Sequence, residues 1–186
     1  TEGAYDNELR HCITLISEFH FASHVKHLRK IQSLKARKKN TFISGPMILD
    51  AINKTKLSSK KEFKETLKYE FNNYNFLVAY HPETKKKDMG IENFKNILEV
   101  FNNFLDDKEF SFNILFTYPN CDDGNQEIIK KIEKFKIRYP NNSFIYKSLG
   151  QQKFLSALNN FDILIGNSSS GIIEAGFFDI SVINIG

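Results

Sequence analysis

Short apolar runs alternate with amphipathic stretches through the second half of the chain, and this alternation restricts the folds that the sequence can adopt. The apolar runs predict strands at residues 75–80, 111–117, 143–147, 161–166 and 181–185. The stretches between them have helical spacing, at residues 91–105, 125–139, 150–159 and 170–177. This order is typical of a parallel sheet with helices on both faces. We therefore predict an α/β fold with a doubly wound parallel sheet.

The first part of the chain has shorter elements. Helices are predicted at residues 6–20, 24–32, 47–52 and 60–69, and short strands at residues 20–23 and 41–44. Gly45 and Pro46 interrupt both patterns, as a hinge does. We expect one structural unit over residues 1–44 and a second over residues 45–186.

Ligands of doubly wound sheets bind beyond the carboxyl ends of the strands. The turns that follow the predicted strands are residues 81–84, 118–124, 147–150 and 167–171. Three of these four turns are rich in hydrogen-bonding groups. The sequence therefore predicts that they converge on one crevice.

Residues 161–176, with the sequence FDILIGNSSSGIIEAG, have the layout of an anion site. A buried-strand pattern ends at Gly166, and three serines with Gly171 precede a helical pattern. Unpaired amides and the positive end of the helix dipole favour a phosphate at such a place. Glu174 follows one turn later, where a carboxylate can bond sugar hydroxyls.

The same run has a simpler reading. A serine before a helix is often only an N-cap, with Glu174 completing a capping box or meeting solvent. The run does not favour a serine nucleophile, because it lacks the Gly-x-Ser-x-Gly elbow. It is not a Walker loop, because the chain has no Gly-Lys-Ser/Thr.

Composition limits the other function classes. The 186 residues are 41% hydrophobic, enough for a core, and no apolar run approaches the roughly 20 residues of a membrane helix. Cys12 and Cys121 are far apart in the sequence, which favours a reducing, cytoplasmic location. The net charge of +4 comes largely from short lysine-rich runs typical of solvated surfaces, so we expect no nucleic-acid partner. His11, His20, His24 and His27 lack metal-ligand grouping, and we expect no metal.

Three segments together resemble one family, the hydrolysing UDP-N-acetylglucosamine 2-epimerases that make N-acetylmannosamine for sialic-acid-type sugars. They are TEGAYDNELRHCIT at the start, VAYHPETKK in the middle, and FTYPNCDDGN with IGNSSSGIIEAGFFDISVINIG towards the end. The segments occur in family order, and the resemblance runs from the first residue to the last. It implies a glycosyltransferase-B-like fold with the active site between two domains. Residues 1–44 would be the tail of the N-terminal Rossmann-like domain and residues 45–186 the nucleotide-sugar-binding domain.

The resemblance implies catalytic roles for Asp6 and His81. The substrate-binding residues that it implies are Arg10, His11, Tyr118, Asn120, Asp122, Ser169, Ser170, Gly171 and Glu174. Asp6 matches the carboxylate beside the sugar, and His81 a histidine that contacts the phosphates or stabilises the leaving group. Each also has an ordinary structural reading, since Asp6 suits the first turn of a helix and His81 the end of a strand.

The resemblance also implies that Ser169, Ser170 and the amide of Gly171 bind the diphosphate. It implies that Glu174 binds the ribose hydroxyls. Tyr118, Asn120 and Asp122 match a turn that lines the sugar side. The match at this turn is looser, because related non-hydrolysing epimerases carry a histidine there and this chain has none. Arg10 and His11 match an Arg-His pair, and the structural alternative for Arg10 is a surface ion pair.

The implied reaction eliminates UDP to give a 2-acetamidoglucal, which is then hydrated. The substrate would be a UDP-sugar or GDP-sugar, with no cofactor and no membrane partner, in a homodimer or higher homo-oligomer. Family motifs would precede Thr1 and follow Gly186, so we expect the chain to be an internal piece that is inactive alone. A nucleotide-sugar-dependent glycosyltransferase or a binding-only domain of the same fold remains the alternative.

Overall fold

The computed structural model describes residues 6–35, 38–107 and 110–185. The chain divides into two compact units, with the division between Thr55 and Lys56. The sequence placed a domain boundary earlier, between Ser44 and Gly45. The assignment of these units to domains of a larger enzyme stays a prediction.

The first unit contains a small parallel β-α-β arrangement. Its elements are α1 (Asp6–Ile16), β1 (His20–Ala22), α2 (Val25–Lys35), β2 (Thr41–Ile43) and α3 (Ile48–Lys54). Strands β1 and β2 pair in parallel, with His20 opposite Thr41. Lys35, at the end of α2, donates hydrogen bonds to the carbonyls of Leu15 and Ser17, which joins α2 to the end of α1.

The second unit carries the main sheet. Its elements are α4 (Lys60–Leu67), β3 (Tyr74–Ala79), α5 (Ile91–Asp107), β4 (Phe112–Thr117), α6 (Asn125–Arg138), β5 (Ser143–Tyr146), α7 (Gly150–Asn160), β6 (Ile163–Gly166), α8 (Ser170–Ile173), a 3-10 turn (Ala175–Phe177) and β7 (Ser181–Asn184). The strands lie in the order β5-β4-β3-β6-β7, and every neighbouring pair is parallel. The predicted α/β fold with a doubly wound parallel sheet is confirmed. The chain moves outward from β3 to β5 and then returns to the other side of β3, and such a reversal opens a crevice at the carboxyl ends of the strands.

Helices cover both faces of this sheet. Alternate residues of each strand point to opposite faces, so Val78 and Phe116 pack with Phe94 and Phe135 of helices α5 and α6. The opposite face is aromatic. The rings there come from α4, β5 and the segments that follow α4 and α7, and they are Phe63, Tyr69, Phe71, Phe144 and Phe161. Burial on both faces explains why the central strands read as continuous apolar runs.

A polar network ties the amino ends of the strands together. The buried Tyr69 hydroxyl donates to Oδ1 of Asn75 at 3.2 Å, and the Asn75 backbone N–H donates to Asp162 Oδ2 at 2.7 Å. Oδ1 of Asn75 also accepts the Asn72 backbone N–H at 2.9 Å. Because each buried polar group has a partner, this end of the sheet is held in a single arrangement. Across the described ranges, no helix is both long and apolar enough to cross a membrane.

Candidate functional site

A cleft of about 410 Å³ lies at the carboxyl ends of β3, β4, β5 and β6. Each of the four strands contributes a wall residue from the turn that follows it. These residues include His81 after β3, Tyr118 after β4, Lys147 after β5, and Ser168, Ser170 and Glu174 after β6. The four turns predicted from the sequence therefore meet at one cleft. All of the residues that line it belong to the second unit.

The end of β6 depends on a glycine. Gly166 has φ +146°, and a β-carbon at this position would overlap the carbonyl of Ala79 on β3. A glycine allows both the backbone angle and the close approach. The turn into α8 can consequently begin directly beside β3.

Asn167 joins this turn to His81. Its side-chain Oδ1 accepts the His81 backbone N–H at 2.8 Å, and its Nδ2 donates to the His81 carbonyl at 2.8 Å. The last backbone pair of the two strands is Ala79 with Gly166. The Asn167 amide thus satisfies the backbone of His81, two residues beyond Ala79, after the β6 backbone has ended.

The His81 ring is half-buried in the cleft wall, and its Nδ1 accepts the backbone N–H of Asn120 at 3.1 Å. Burial lowers the pKa of His81, and the negative charge of Asp122 offsets part of this effect. Because the effect of burial is the larger one, the net shift favours the neutral imidazole. The hydrogen bond from Asn120 requires that Nδ1 carry no proton.

The serine turn differs in two ways from the sequence prediction. The helix predicted at residues 170–177 is two elements, because α8 ends at Ile173 and a 3-10 turn follows. The amide of Gly171, expected to meet a diphosphate, already donates to the Ser168 carbonyl at 3.1 Å. Within the described part of the chain, the backbone amides of Ser168 and Ser169 donate no hydrogen bond.

The serine side chains also divide. Ser168 and Ser170 line the cleft, whereas Ser169 is exposed and lies outside the lining. Sequence reasoning omitted Ser168 from the site, since three consecutive serines give no signal about which of them face a ligand. It also omitted Lys147, whose side chain brings a positive charge to the cleft lining.

Glu174 lines the cleft, and one of its carboxylate oxygens, Oε2, is buried without a hydrogen-bond partner among the described residues. A buried carboxylate oxygen without a donor is costly, so such atoms are commonly places where a ligand or water completes the site.

The turn after β4 is ordered by its own side chains. Nδ2 of Asn120 donates to Asp122 Oδ2 at 2.6 Å, and both residues are exposed outside the cleft lining. Tyr118 lines the cleft, but its hydroxyl donates to Glu133 Oε1 at 2.8 Å. These hydrogen bonds give the turn a structural role, because they hold the backbone N–H of Asn120 beside the His81 ring. The predicted contacts of these side chains with the sugar stay predictions.

The remaining predicted residues lie in α1 of the first unit. Arg10 is exposed and His11 is half-buried, and the backbone of Asp6 begins the helix. Their roles beside the sugar stay predictions. Among the described residues, no group of three or more His, Cys, Asp or Glu side chains could hold a metal ion.

Comparisons with known proteins agree with the fold. The sequence model of the UDP-N-acetylglucosamine 2-epimerase family matches residues 1–186. A crystal structure of UDP-GlcNAc 2-epimerase from Neisseria meningitidis, bound to UDP-GlcNAc, superposes with a TM-score of 0.72 at 14% identity, covering 98% of this chain and 48% of that one. The likeness shows that the fold is glycosyltransferase-B-like.

Two curated relatives are hydrolysing enzymes by name. The chain is 29% identical over 186 residues to the GDP/UDP-N,N'-diacetylbacillosamine 2-epimerase (hydrolyzing) of Campylobacter jejuni, covering 100% of the chain and 47% of the relative. It is 28% identical over 184 residues to the UDP-N,N'-diacetylbacillosamine 2-epimerase (hydrolyzing) of Legionella pneumophila, covering 99% and 47%. The chain thus spans about half the length of the curated relatives that it matches. On the evidence of the family match along its whole length, the chain belongs to the UDP-N-acetylglucosamine 2-epimerase family.

Proposed function

We propose that this protein is a hydrolysing 2-epimerase, which converts UDP-N-acetylglucosamine, or a related nucleotide-activated diacetamido sugar, into UDP and a free N-acetylmannosamine-type sugar. One observation carries the proposal. Four strand-end turns meet at a single cleft whose walls hold a histidine with a lowered pKa, two serines, a lysine and a buried carboxylate oxygen without a partner among the described residues. These groups suit the two parts of a nucleotide sugar that leave together, the diphosphate and the ribose.

The diphosphate would bind at the serine turn. Ser168 and Ser170 offer hydroxyl donors, and the unpaired amides of Ser168 and Ser169 offer backbone donors. Lys147, after β5, supplies a positive charge to the lining of the same cleft. Fixed donors of this kind stabilise the negative charge that grows on a departing diphosphate.

Glu174 would bind the ribose. Its buried Oε2 has an unused acceptor position, and a ribose hydroxyl is the kind of donor that would use it. The cost of leaving this oxygen unpartnered in the free protein would then be recovered when the nucleotide binds.

The proposed chemistry has two steps. In the first, a base removes the C2 proton, the bond from C1 to the diphosphate oxygen breaks, and a C1–C2 double bond forms as UDP leaves. In the second, water adds its hydroxyl to C1 while a proton returns to the opposite face of C2. His81 would donate a hydrogen bond to the departing diphosphate, and Asp6, Arg10 and His11 would act near the sugar.

The test is to incubate the full-length protein in deuterated water with UDP-N-acetylglucosamine, and separately with the UDP and GDP forms of diacetylbacillosamine. Because the C2 proton comes from solvent in the second step, the free sugar should carry deuterium at C2 with inverted configuration. The donor that is consumed identifies the substrate. Transfer of an unlabelled sugar to an acceptor would instead indicate a glycosyltransferase, and UDP binding without turnover would indicate a binding-only protein.

A further inference from the structure

His81 is held from two directions by residues distant in the sequence. Asn167 forms two hydrogen bonds with its backbone, and the Asn120 amide forms one with its ring. The second unit thus fixes both the position of His81 and the orientation of its imidazole.

The Asn167 contact is a specific one. A side-chain amide that accepts from the N–H and donates to the C=O of one residue satisfies both backbone groups of that residue, as a neighbouring strand would. Both distances are 2.8 Å, so the His81 backbone is satisfied although β6 has already ended at Gly166. If Asn167 were shortened, these two backbone groups would lose their partners, and His81 would be free to shift.

The ring contact fixes the tautomer. A backbone N–H can only donate, so Nδ1 of His81 must present its lone pair to Asn120. In a neutral imidazole the proton then lies on Nε2. Nε2 has no hydrogen-bond partner among the described residues and is not a buried atom, so it is available to a ligand in the cleft.

We propose that Asn167 is a positioning residue that, together with the Asn120 amide, holds His81 as a neutral Nε2–H donor for the departing diphosphate. This inference rests on the proposed function. It assigns His81 a hydrogen bond and no proton transfer, because giving up the Nε2 proton would leave an imidazolate anion. It also excludes His81 as the base for C2 through Nε2, since that nitrogen already carries a proton.

The groups around the ring are compatible with a neutral state. The titratable groups near it are Asp122, whose charge acts on its pKa, and Tyr118, Lys147 and Glu174, which line the same cleft. Burial lowers the pKa of His81 more than Asp122 raises it. Protonation of Nδ1 would also direct its N–H at the Asn120 N–H, which opposes the charged form further.

The test compares Asn167→Ala with the matched variant Asn142→Ala in the full-length protein. Asn142 likewise links strands through its side-chain amide, with Nδ2 donating to the Phe112 carbonyl at 3.0 Å, but it lies at the amino ends of the strands. Selectively labelled histidine would be followed by NMR against pH, with His81 assigned from His81→Gln. The ring nitrogens report the tautomer, and the titration reports the pKa.

In the unchanged protein we expect a single Nε2–H tautomer and a pKa for His81 below the ordinary value of about 6.5. In Asn167→Ala we expect both tautomers, and a pKa raised towards about 6.5. Asn142→Ala should match the unchanged protein in both respects. A mixed tautomer in the unchanged protein, or the same titration in all three proteins, would overturn the proposal.

Turnover provides the second measurement. Asn167→Ala should lower kcat by about tenfold to a hundredfold with little change in KM, because a leaving-group contact acts mostly in the transition state. An equal fall in kcat for Asn142→Ala would make Asn167 merely structural. If the unchanged protein turns over no nucleotide sugar, the proposed reaction fails, while the titration still decides whether Asn167 and Asn120 fix His81.

Discussion

Gly166 lies against the main-chain carbonyl of Ala79 so closely that the first carbon of any side chain would overlap the oxygen. This contact brings the β6 turn beside the β3 turn, and it places Asn167 within reach of His81.

Gly166→Ala should therefore damage both stability and binding. The added carbon forces the strands apart and imposes a positive φ on alanine, so we expect a loss of about 3 kcal/mol or more in the free energy of unfolding. Gly176→Ala is the matched control, because a β-carbon there meets no atom within 4 Å, and it should stay within about 0.5 kcal/mol. Urea unfolding measures both variants. Equal stabilities would show that the sheet adapts easily at Gly166.

Glu174→Gln should separate binding from stability. The amide keeps the size of the side chain but removes the charge and changes one acceptor to a donor, so we expect UDP affinity to fall about tenfold or more. The free protein should keep its stability or gain up to about 1 kcal/mol, because the buried group without a partner becomes a neutral amide, which costs less to bury than a carboxylate. Calorimetry with UDP and urea unfolding measure the two effects. Glu65→Gln, on the exposed side of α4, is the control. If Glu174→Gln bound UDP as tightly as the unchanged protein, the proposal that Glu174 binds the ribose would be wrong.

The three serines can be distinguished one at a time. Ser168→Ala and Ser170→Ala should each weaken UDP binding by about threefold to tenfold, because each removes a hydroxyl that lines the cleft. Ser169→Ala should have a smaller effect, since this side chain is exposed outside the lining. Calorimetry with UDP compares the variants. A loss at Ser169 as large as that at Ser170 would contradict this expectation and would support the diphosphate contact that the family resemblance implies for Ser169.

Tyr69 should make the protein sensitive to alkali. Burial raises the pKa of its hydroxyl far above the usual value near 10, with a smaller contribution from the charge of Asp162. Above about pH 10 the unfolded chain loses this proton and the folded chain keeps it, so the free energy of unfolding falls as pH rises. The fall from this one group is about 1.4 kcal/mol per pH unit. Tyr69→Phe should reduce the slope by that amount, while costing about 1 kcal/mol at pH 7 through the lost hydrogen bond to Asn75. Identical alkaline slopes for the two proteins, measured by urea unfolding, would contradict this account.

The elements of the sheet were predictable because their signals are local. Each strand of the second unit is a short apolar run, and each connecting helix has its own amphipathic spacing. The rule that parallel strands carry ligand sites at their carboxyl ends then predicted the cleft without any knowledge of side-chain contacts. The break after Ile173 was missed, although Gly171 and Gly176 both weaken a helix.

The finer arrangement of the site could not be predicted in this way. Asn167 meets His81 across 86 positions of sequence, and the Asn120 amide meets the same ring across 39. Neither contact leaves a periodic signal, because each depends on where the backbone ends after the sheet has formed. The sequence also could not predict that Ser168 lines the cleft and Ser169 does not, because the two are neighbours of identical type and only the path of the backbone distinguishes them.

The pairing of β3 with β6 also has a consequence for how the protein is made. These two strands are joined near their start by a hydrogen bond between residues 87 positions apart, and the helices and strands between them must be placed first or together with them. Closing so long a segment is entropically costly and slow compared with forming a local helix. During synthesis, His81 therefore leaves the ribosome long before its partner Asn167. The nascent chain should acquire the proposed affinity for a nucleotide only after Asn167 and the serine turn beside it have emerged.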